Sequence, residues 1–289
     1  MVERQSTEIQ YQYCNPVIMD ARVLRNNDMG LNPSSFNKKL GVIVCADDFG
    51  ASSQINEAII RLLKDERISA CSCLVTGKAW EQGSVLLKSF RGAADIGLHL
   101  IYDDMPYHEI VTWAYTKRLK KGPILKKFKS QLDRFWESMA RPPDHIDGHK
   151  HIHQLPVFKS ALMDLMDMVG AHKIYVRNAG MGLDDILRRK TSILKNMYIS
   201  FPGGSLKKDL FKKEIPTNND FLGIYDFNAP LAPAEVFEKF LRTVKRTNSI
   251  VMCHPSFGEE LRYLESNEYR ETLERYGLYL TRFTYGSIE

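Results

Sequence analysis

The 289-residue sequence predicts an α/β fold in which a parallel sheet closes into a distorted (β/α) barrel of seven or eight strands. Three observations predict it. Short apolar runs alternate with segments of helical periodicity, which is typical of parallel strands joined by crossover helices. Seven or eight such units occur, and one barrel of about 250 residues is an ordinary domain. Polar side chains recur where apolar strands end, and that edge carries the reacting groups in such barrels.

The first half of the alternation begins at Gly41–Ala46, a short apolar run typical of a strand buried on both faces. A helix follows, because Ser52 or Ser53 can cap it and apolar residues recur on one face as far as Leu63. The other elements predicted here are a strand over Ile68–Thr76, a helix over Ala79–Phe90, a strand over Asp95–Leu100, a loop over Ile101–Gly122, a helix over Pro123–Ala140 and a strand over His145–Gly148.

The second half of the chain continues this alternation of strands and helices. Its predicted elements are a helix over Leu155–Val169, a strand over Ile174–Arg177, a helix over Asp184–Lys195, a strand over Met197–Phe201, a loop over Gly203–Asn219, a strand over Gly223–Phe227, a helix over Pro233–Thr247, a strand over Ser249–Cys253, and one charged helix over about Glu260–Arg275 before a short extended tail. Residues 1–39 are polar and precede this pattern. We therefore expect an N-terminal extension over 1–39 and a single barrel domain over 40–289.

Composition and charge narrow the class of protein. The chain is 44% hydrophobic and 26% charged, with a formal net charge of +5. No stretch resembles a signal peptide or approaches the roughly 18 apolar residues of a membrane span. Five scattered cysteines form no zinc-ligand pattern, which predicts reduced thiols and a cytosolic or nuclear location, of which we expect the cytoplasm. The basic run Lys117–Lys121 is more typical of a solvated loop than of a nucleic-acid contact. We expect neither a nucleic-acid nor a membrane partner.

The stretch His145–His153 holds four of the eight histidines and one aspartate. If it stays extended, alternation places Asp147, His149, His151 and His153 on one face. Neutral imidazole and carboxylate are common ligands of borderline metals. The stretch therefore predicts a metal or catalytic site, and the alternative is a polar turn with incidental histidines.

Two adjacent carboxylates, Asp47 and Asp48, end the first strand. A turn at Phe49–Gly50 would let both side chains reach one cavity. Adjacent carboxylates repel each other, but a metal beside one keeps it ionised while the other accepts a proton. The alternative is a helix cap within a solvated turn.

His99 ends another apolar segment, where a single histidine is often a core residue bonded to the backbone. Together with Asp48 and His149, it offers two nitrogens and one oxygen from three strand ends. Such a set leaves coordination positions for water and substrate, as a catalytic metal requires.

Two further polar residues follow strands. His254 is a candidate general acid, and its alternative role is packing against Pro255. Arg177 can orient a carboxylate or stabilise an oxyanion, and its alternative is a salt bridge at a strand end.

Four motifs together resemble the YdjC-like carbohydrate deacetylases, in the order of that family. They are Val44–Gly50, Ile96–Leu100, His145–His153 and Met252–Phe257. The resemblance covers the chain from about residue 40 to its end. It implies a barrel related to the polysaccharide deacetylases. It also implies an enzyme of carbohydrate metabolism that hydrolyses a linear amide C–N bond, removing N-acetyl groups from amino sugars or chito-oligosaccharides and releasing acetate.

The resemblance also implies a cofactor, one divalent ion, either Mg²⁺ or Zn²⁺. The metal ligands that it implies are Asp48, His99 and His149, with Asp47 as the general base and His254 as the acid. Lys150 and the loop Ile101–Asp104 depart from the usual pattern of the family, so the sugar substrate stays open. Two other functions stay open as well, a non-catalytic sugar-binding barrel and a metal-dependent phosphoester hydrolase. The expected partner is an N-acetylated sugar or oligosaccharide, and a homodimer is compatible with the sequence.

Overall fold

The computed structural model describes residues 39–170, 173–180, 193–225, 232–255 and 258–286. The strands in these ranges are β1 (Leu40–Phe49), β2 (Ala70–Cys73), β3 (Asp95–Leu100), β4 (His145–Gly148), β5 (Tyr175–Val176), β6 (Phe221–Leu222), β7 (Ser249–Cys253) and β8 (Leu278–Leu280). The α-helices are α1 (Ser53–Lys64), α2 (Trp80–Leu87), α3 (Tyr107–Tyr115), α4 (Lys121–Met139), α5 (Pro156–Val169), α6 (Ile193–Lys212), α7 (Pro233–Leu241), α8 (Glu259–Glu265) and α9 (Asn267–Arg275).

Seven strands form one parallel sheet in the order β5-β4-β3-β2-β1-β7-β6. The eighth, β8, pairs in parallel with Leu40–Val42 at the start of β1. Across the open side between β5 and β6, the Val176 N–H donates to the Pro216 carbonyl at 2.9 Å. The sheet is an open barrel with helices packed outside it, so the prediction of a distorted (β/α) barrel with seven or eight strands is confirmed.

The first βα unit illustrates why the sequence folds this way. Ser52 caps α1, because its Oγ accepts a hydrogen bond from the Ile55 N–H at 3.2 Å. Ile59 and Leu62 lie on the helix face that is fully buried. Burial of each such side chain contributes about 1.5–3 kcal/mol, which fixes the helix against the sheet.

Two predictions were wrong for residues 197–219. The predicted strand Met197–Phe201 and the start of the predicted loop Gly203–Asn219 belong instead to α6. The buried residues Ile199, Leu206 and Leu210 recur at helical spacing, which the short apolar run around Tyr198 concealed. Residues 184–192 of the helix predicted over Asp184–Lys195 lie outside the described residues.

Other boundaries differ from the prediction for local reasons. The loop predicted over Ile101–Gly122 contains α3. The strand predicted over Gly223–Phe227 was wrong for residues 223–225, because the nearby strand β6 covers Phe221–Leu222 instead. Strand β6 ends before Gly223, which has a positive φ of 111° where a side chain would collide with the Met252 backbone. Residues 226–227 of that prediction lie outside the described residues. The charged C-terminal helix is interrupted at Ser266, whose Oγ accepts from the Tyr269 N–H and starts α9. The extension predicted over 1–39 lies, except for Lys39, outside the described residues and stays a prediction.

The C-terminal tail closes the amino-terminal end of the barrel. Arg282 Nε donates to buried Asp95 Oδ1 at 2.8 Å, and the Phe283 N–H donates to Asp95 Oδ2 at 2.8 Å. The carboxyl ends of the strands form the opposite rim and carry the predicted site residues. Among the described residues, no helix combines the length and the apolar character that a membrane crossing needs.

Candidate metal centre

A bulge in β1 brings Asp47 and Asp48 to the same place. Ala46 pairs with Cys71 but Phe49 pairs with Cys73, so β1 holds one more residue than β2 over this segment. The extra residue is Asp48. Its backbone lies in the left-handed region with a φ of 69°, a conformation that aspartate adopts more readily than most residues. The predicted turn at Phe49–Gly50 is present, since the Ala51 N–H donates to the Asp48 carbonyl at 3.1 Å, and the bulge just before it brings the two carboxylates together.

Asp48, His99 and His149 converge from the ends of β1, β3 and β4. Asp48 Oδ1 lies 3.1 Å from His149 Nδ1 and 3.6 Å from His99 Nε2. One ligand atom from each of the three residues lies within 4.8 Å of the others. The His99 side chain is buried, whereas those of Asp48 and His149 are 21% and 30% exposed. The group thus opens on one side, as a catalytic metal site must.

The charges around His99 test whether these residues fit a cation. The carboxylates of Asp47, Asp48 and Asp147 all lie within 4 Å of a His99 ring nitrogen, and the guanidinium of Arg177 contacts two of them. With neutral imidazoles, these side chains carry a formal charge of −2. Burial of uncompensated charge is costly, so one divalent cation would balance the group. The donor set and its charge both fit a single such ion.

The electrostatics keep Asp48 ionised. Burial by itself raises the pKa of Asp48. The hydrogen bond with His149 and the nearby His99 and His254 outweigh burial and lower the pKa to about 2. An ionised carboxylate is the form that a metal binds.

A second group of three residues, Asp47, His99 and Asp147, also places ligand atoms within 4.8 Å of one another. Arg177 occupies that position. Its two terminal nitrogens donate to the Asp47 oxygens at 2.6 and 2.7 Å, and its Nε lies 2.9 Å from Asp147 Oδ2. The guanidinium supplies the positive charge there, so the arrangement favours one metal ion and not two.

Asp147 orients His99. The two residues are register partners in neighbouring strands, and His99 Nδ1 lies 2.5 Å from Asp147 Oδ1. Burial by itself raises the pKa of Asp147. The nearby Arg177 and His99 outweigh burial and hold the pKa well below its ordinary value. An ionised Asp147 accepts the Nδ1 proton and leaves the lone pair of Nε2 facing Asp48.

The histidine-rich stretch does not remain a strand. As predicted, His145–Gly148 forms β4, but a 3₁₀ turn over His149–Gln154 follows, with Lys150 and His151 in the left-handed region. The expectation that Asp147, His149, His151 and His153 share one face was wrong for this reason. His149 lies with Asp48 and His99. The His151 ring instead packs edge-on against Phe221, and His153 Nε2 bonds to the Arg177 carbonyl.

A cavity of about 330 Å³ lies at the rim. Six of the residues that line it are Asp47, His99, His149, His254, Tyr107 and Tyr225. Such a volume accommodates a small ligand. Tyr107 begins α3, within the segment that the sequence predicted as a loop over Ile101–Gly122.

Glu260 holds two of the lining residues, and sequence reasoning missed it. One Glu260 oxygen accepts the His254 N–H at 2.7 Å, and the other accepts the Tyr225 hydroxyl at 2.5 Å. Tyr225 follows β6 in the structure, but the sequence placed it inside the predicted strand Gly223–Phe227, so the rule that found His254 did not find it. Glu260 gave no such signal, because it begins the predicted charged helix Glu260–Arg275 and does not follow a strand.

Arg177 is fully buried and is not among the described residues that line the cavity. Of the roles that the sequence allowed, its contacts match both the salt bridge at a strand end and the orientation of a carboxylate, Asp47. The suggested role as a donor to an oxyanion does not match them.

Comparisons with known proteins agree with this fold. The YdjC-like protein family matches residues 41–275. A chitooligosaccharide deacetylase of Serratia marcescens is 29% identical over 130 residues, which are 40% of this chain and 51% of that protein. The chain spans about half the length of the first curated relatives that it matches.

Two solved structures share the fold. A protein of Enterococcus faecalis V583, named for a proposed cellobiose-phosphate cleavage, superimposes with a TM-score of 0.62 at 18% identity, over 84% of this chain and 97% of that one. The catalytic domain of a peptidoglycan N-acetylglucosamine deacetylase of Eubacterium rectale gives a TM-score of 0.50 at 10% identity, over 89% and 92%. The expected polysaccharide-deacetylase-like barrel is confirmed. With its family match over most of its length, the chain belongs to the YdjC-like protein family.

Proposed function

We propose that this chain is a metal-dependent hydrolase that removes N-acetyl groups from acetylated amino sugars or chito-oligosaccharides and releases acetate. The observation that carries the proposal is the convergence of Asp48, His99 and His149 beside Asp47 at the rim of a cavity. The Serratia marcescens relative, named a chitooligosaccharide deacetylase, supports the choice of substrate.

Asp48, His99 and His149 would hold one divalent ion. Bound there, the ion would supply Lewis acidity, polarising an amide carbonyl and lowering the pKa of a water molecule. Two imidazoles and one carboxylate favour Zn²⁺ or a similar ion, whereas Mg²⁺ prefers oxygen ligands. We therefore expect Zn²⁺ to bind more tightly than Mg²⁺.

Asp47 is the proposed general base. Its carboxylate borders the cavity, and Arg177 holds both oxygens from behind, which fixes its orientation. Asp47 takes a proton from the attacking water while the water oxygen bonds to the amide carbon. Arg177 acts through Asp47 and is a positioning residue.

His254 is the proposed general acid. It lines the same cavity, and its backbone is held by Glu260. When the amide C–N bond breaks, His254 gives a proton to the departing amine nitrogen, so that acetate and a free amino sugar result. The Tyr107 and Tyr225 rings offer aromatic surface for the sugar.

Acetate release from N-acetylglucosamine oligomers by the Zn²⁺-loaded protein tests the proposal. We expect release by the parent protein and by His108→Ala, whose side chain is 82% exposed, but none by His149→Ala. A phosphoester hydrolase would instead release phosphate from a model ester. A sugar-binding barrel would retain the oligomer without releasing acetate. Either result, or full acetate release by metal-free protein, would contradict the proposal.

The cellular location and the assembly are part of the proposal. Four described cysteines, Cys45, Cys71, Cys73 and Cys253, are buried as free thiols, which supports a reducing compartment such as the cytoplasm. Imaging of a tagged full chain tests the location. Sedimentation of the purified chain tests whether the homodimer that the sequence allows is formed.

A further inference from the structure

We propose that Ser72 and His145 are positioning residues that, through Asp147, hold His99 in the tautomer that a metal needs. The inference rests on the proposed function, because it takes His99 as a metal ligand. It adds two residues, buried inside the barrel, that are neither among the described residues lining the cavity nor among the proposed metal ligands Asp48, His99 and His149.

The direction of each hydrogen bond follows from the donors available. Ser72 Oγ lies 2.6 Å from Asp147 Oδ2 and 2.8 Å from His145 Nε2. A carboxylate only accepts, so the single Ser72 hydroxyl proton goes to Asp147. With that proton committed, we assign His145 Nε2 as the donor to Ser72 Oγ, while the Cys45 thiol, whose Sγ lies 3.5 Å from Ser72 Oγ, is a more distant neighbour. The relay therefore runs from His145 to Ser72 to Asp147, which also accepts from His99 Nδ1.

Gly97 makes this relay possible. Ser72 pairs with Gly97 in β3, and the next pair along, Leu98 with Ile146, places His145 beside Gly97 on the other side. The backbones of Ser72 and His145 are therefore separated by two strand spacings, about 9.5 Å. Their side chains meet over Gly97, because glycine has no side chain to keep them apart. A Cβ at Gly97 would collide with the His145 ring.

Burial makes the relay rigid. Ser72, His99, His145 and Asp147 are each at most 1% exposed, so water does not compete for their hydrogen bonds. The His145 ring stacks on Tyr175 at 5.0 Å, which prevents it from turning away. The relay therefore supports one orientation of Asp147 and one tautomer of His99, with the Nε2 lone pair toward Asp48.

Loss of a residue that orients a ligand typically weakens metal binding about 10- to 100-fold. For Ser72→Ala we expect Zn²⁺ affinity, measured by calorimetry on metal-stripped protein, to fall about tenfold. Ser72→Thr keeps the hydroxyl and should restore most of the affinity. Ser84→Ala is the matched control, because Ser84 is also buried but donates to the Glu81 carbonyl in α2.

His145→Phe is a second variant, which keeps a ring against Tyr175 but removes the donor to Ser72. We expect the same direction of change. In both variants, ¹H–¹⁵N spectra of the Zn²⁺-loaded protein should show a weakened or heterogeneous Nδ1–H signal of His99. A purely structural role would lower thermal stability without changing this signal.

The controls separate the two proposals. If His149→Ala binds Zn²⁺ as tightly as the parent, the proposed metal site fails and the relay loses its purpose. If His149→Ala loses Zn²⁺ while Ser72→Ala and His145→Phe retain the parent affinity and His99 spectrum, only the relay is overturned. If Ser72→Ala does not fold, His145→Phe decides by the same two measurements.

Discussion

Asp47 and Asp48, consecutive in the chain, both direct a carboxylate oxygen at His99 Nε2, at 3.9 and 3.6 Å. Consecutive residues of a regular strand face opposite ways, so this arrangement requires the bulge and the left-handed backbone of Asp48. Beyond His99 their partners differ, Arg177 for Asp47 and His149 for Asp48. The bulge thus gives two identical side chains two different chemical environments.

Asp47→Asn should separate catalysis from metal binding. The amide keeps the shape of the side chain but cannot act as a base, so we expect kcat to fall about 10²- to 10⁴-fold. Zn²⁺ affinity should stay close to that of the parent, because Asp47 is not a proposed ligand. Asp167→Asn, at a carboxylate in α5 that is 57% exposed, is the control. A nearly unchanged kcat in Asp47→Asn would remove Asp47 from the role of base.

Metal removal should lower the melting temperature. Without a cation, the carboxylates around His99 repel one another in a buried site, and a ligand that binds only the folded state stabilises it. Thermal unfolding should therefore shift upward as Zn²⁺ is added to stripped protein. The shift should persist in His108→Ala and vanish in His149→Ala. A shift of the same size in His149→Ala would mean that Zn²⁺ binds elsewhere.

Arg177→Met should destabilise the fold strongly. Both terminal nitrogens of Arg177 bond to buried Asp47, and the side chain is fully buried, so its loss leaves carboxylates without their cation. Breaking a buried pair in this way costs about 3–5 kcal/mol. Arg134→Met removes an exposed pair with Glu81 and should cost at most about 1 kcal/mol. Urea unfolding measures both values, and equal values would contradict the assigned role.

Glu260→Ala should reduce turnover without loss of metal. The variant releases the His254 N–H and the Tyr225 hydroxyl, so the proposed acid loses its fixed position. A displacement of about 1 Å can cost about 100-fold in rate. Glu259→Ala is a matched control, because Glu259 precedes Glu260 but its side chain is 71% exposed. If both variants keep the parent kcat, Glu260 does not position the acid.

The sequence predicted the barrel and the rim because each depends on local pattern. Strands β1, β3 and β7 were visible as short apolar runs and β4 as the start of the histidine-rich stretch, and the polar residues at these strands named Asp48, His99, His149 and His254. Predictions failed where local pattern was ambiguous, as in α6, whose apolar residues around Tyr198 resemble a strand. They also failed after Gly148, where left-handed Lys150 and His151 end the alternation of side chains.

The sequence by itself determined the alternation of strands and helices, the strand ends that carry polar residues, and the resemblance to the YdjC-like family. Only the tertiary structure decided three contacts: Arg177 donates to Asp47, Glu260 accepts the His254 N–H, and Ser72 meets His145 across Gly97. The reason is physical. Hydrophobic periodicity is a local property of the chain, whereas these contacts depend on the register of strands and on backbone irregularities that residues far apart in the sequence fix together.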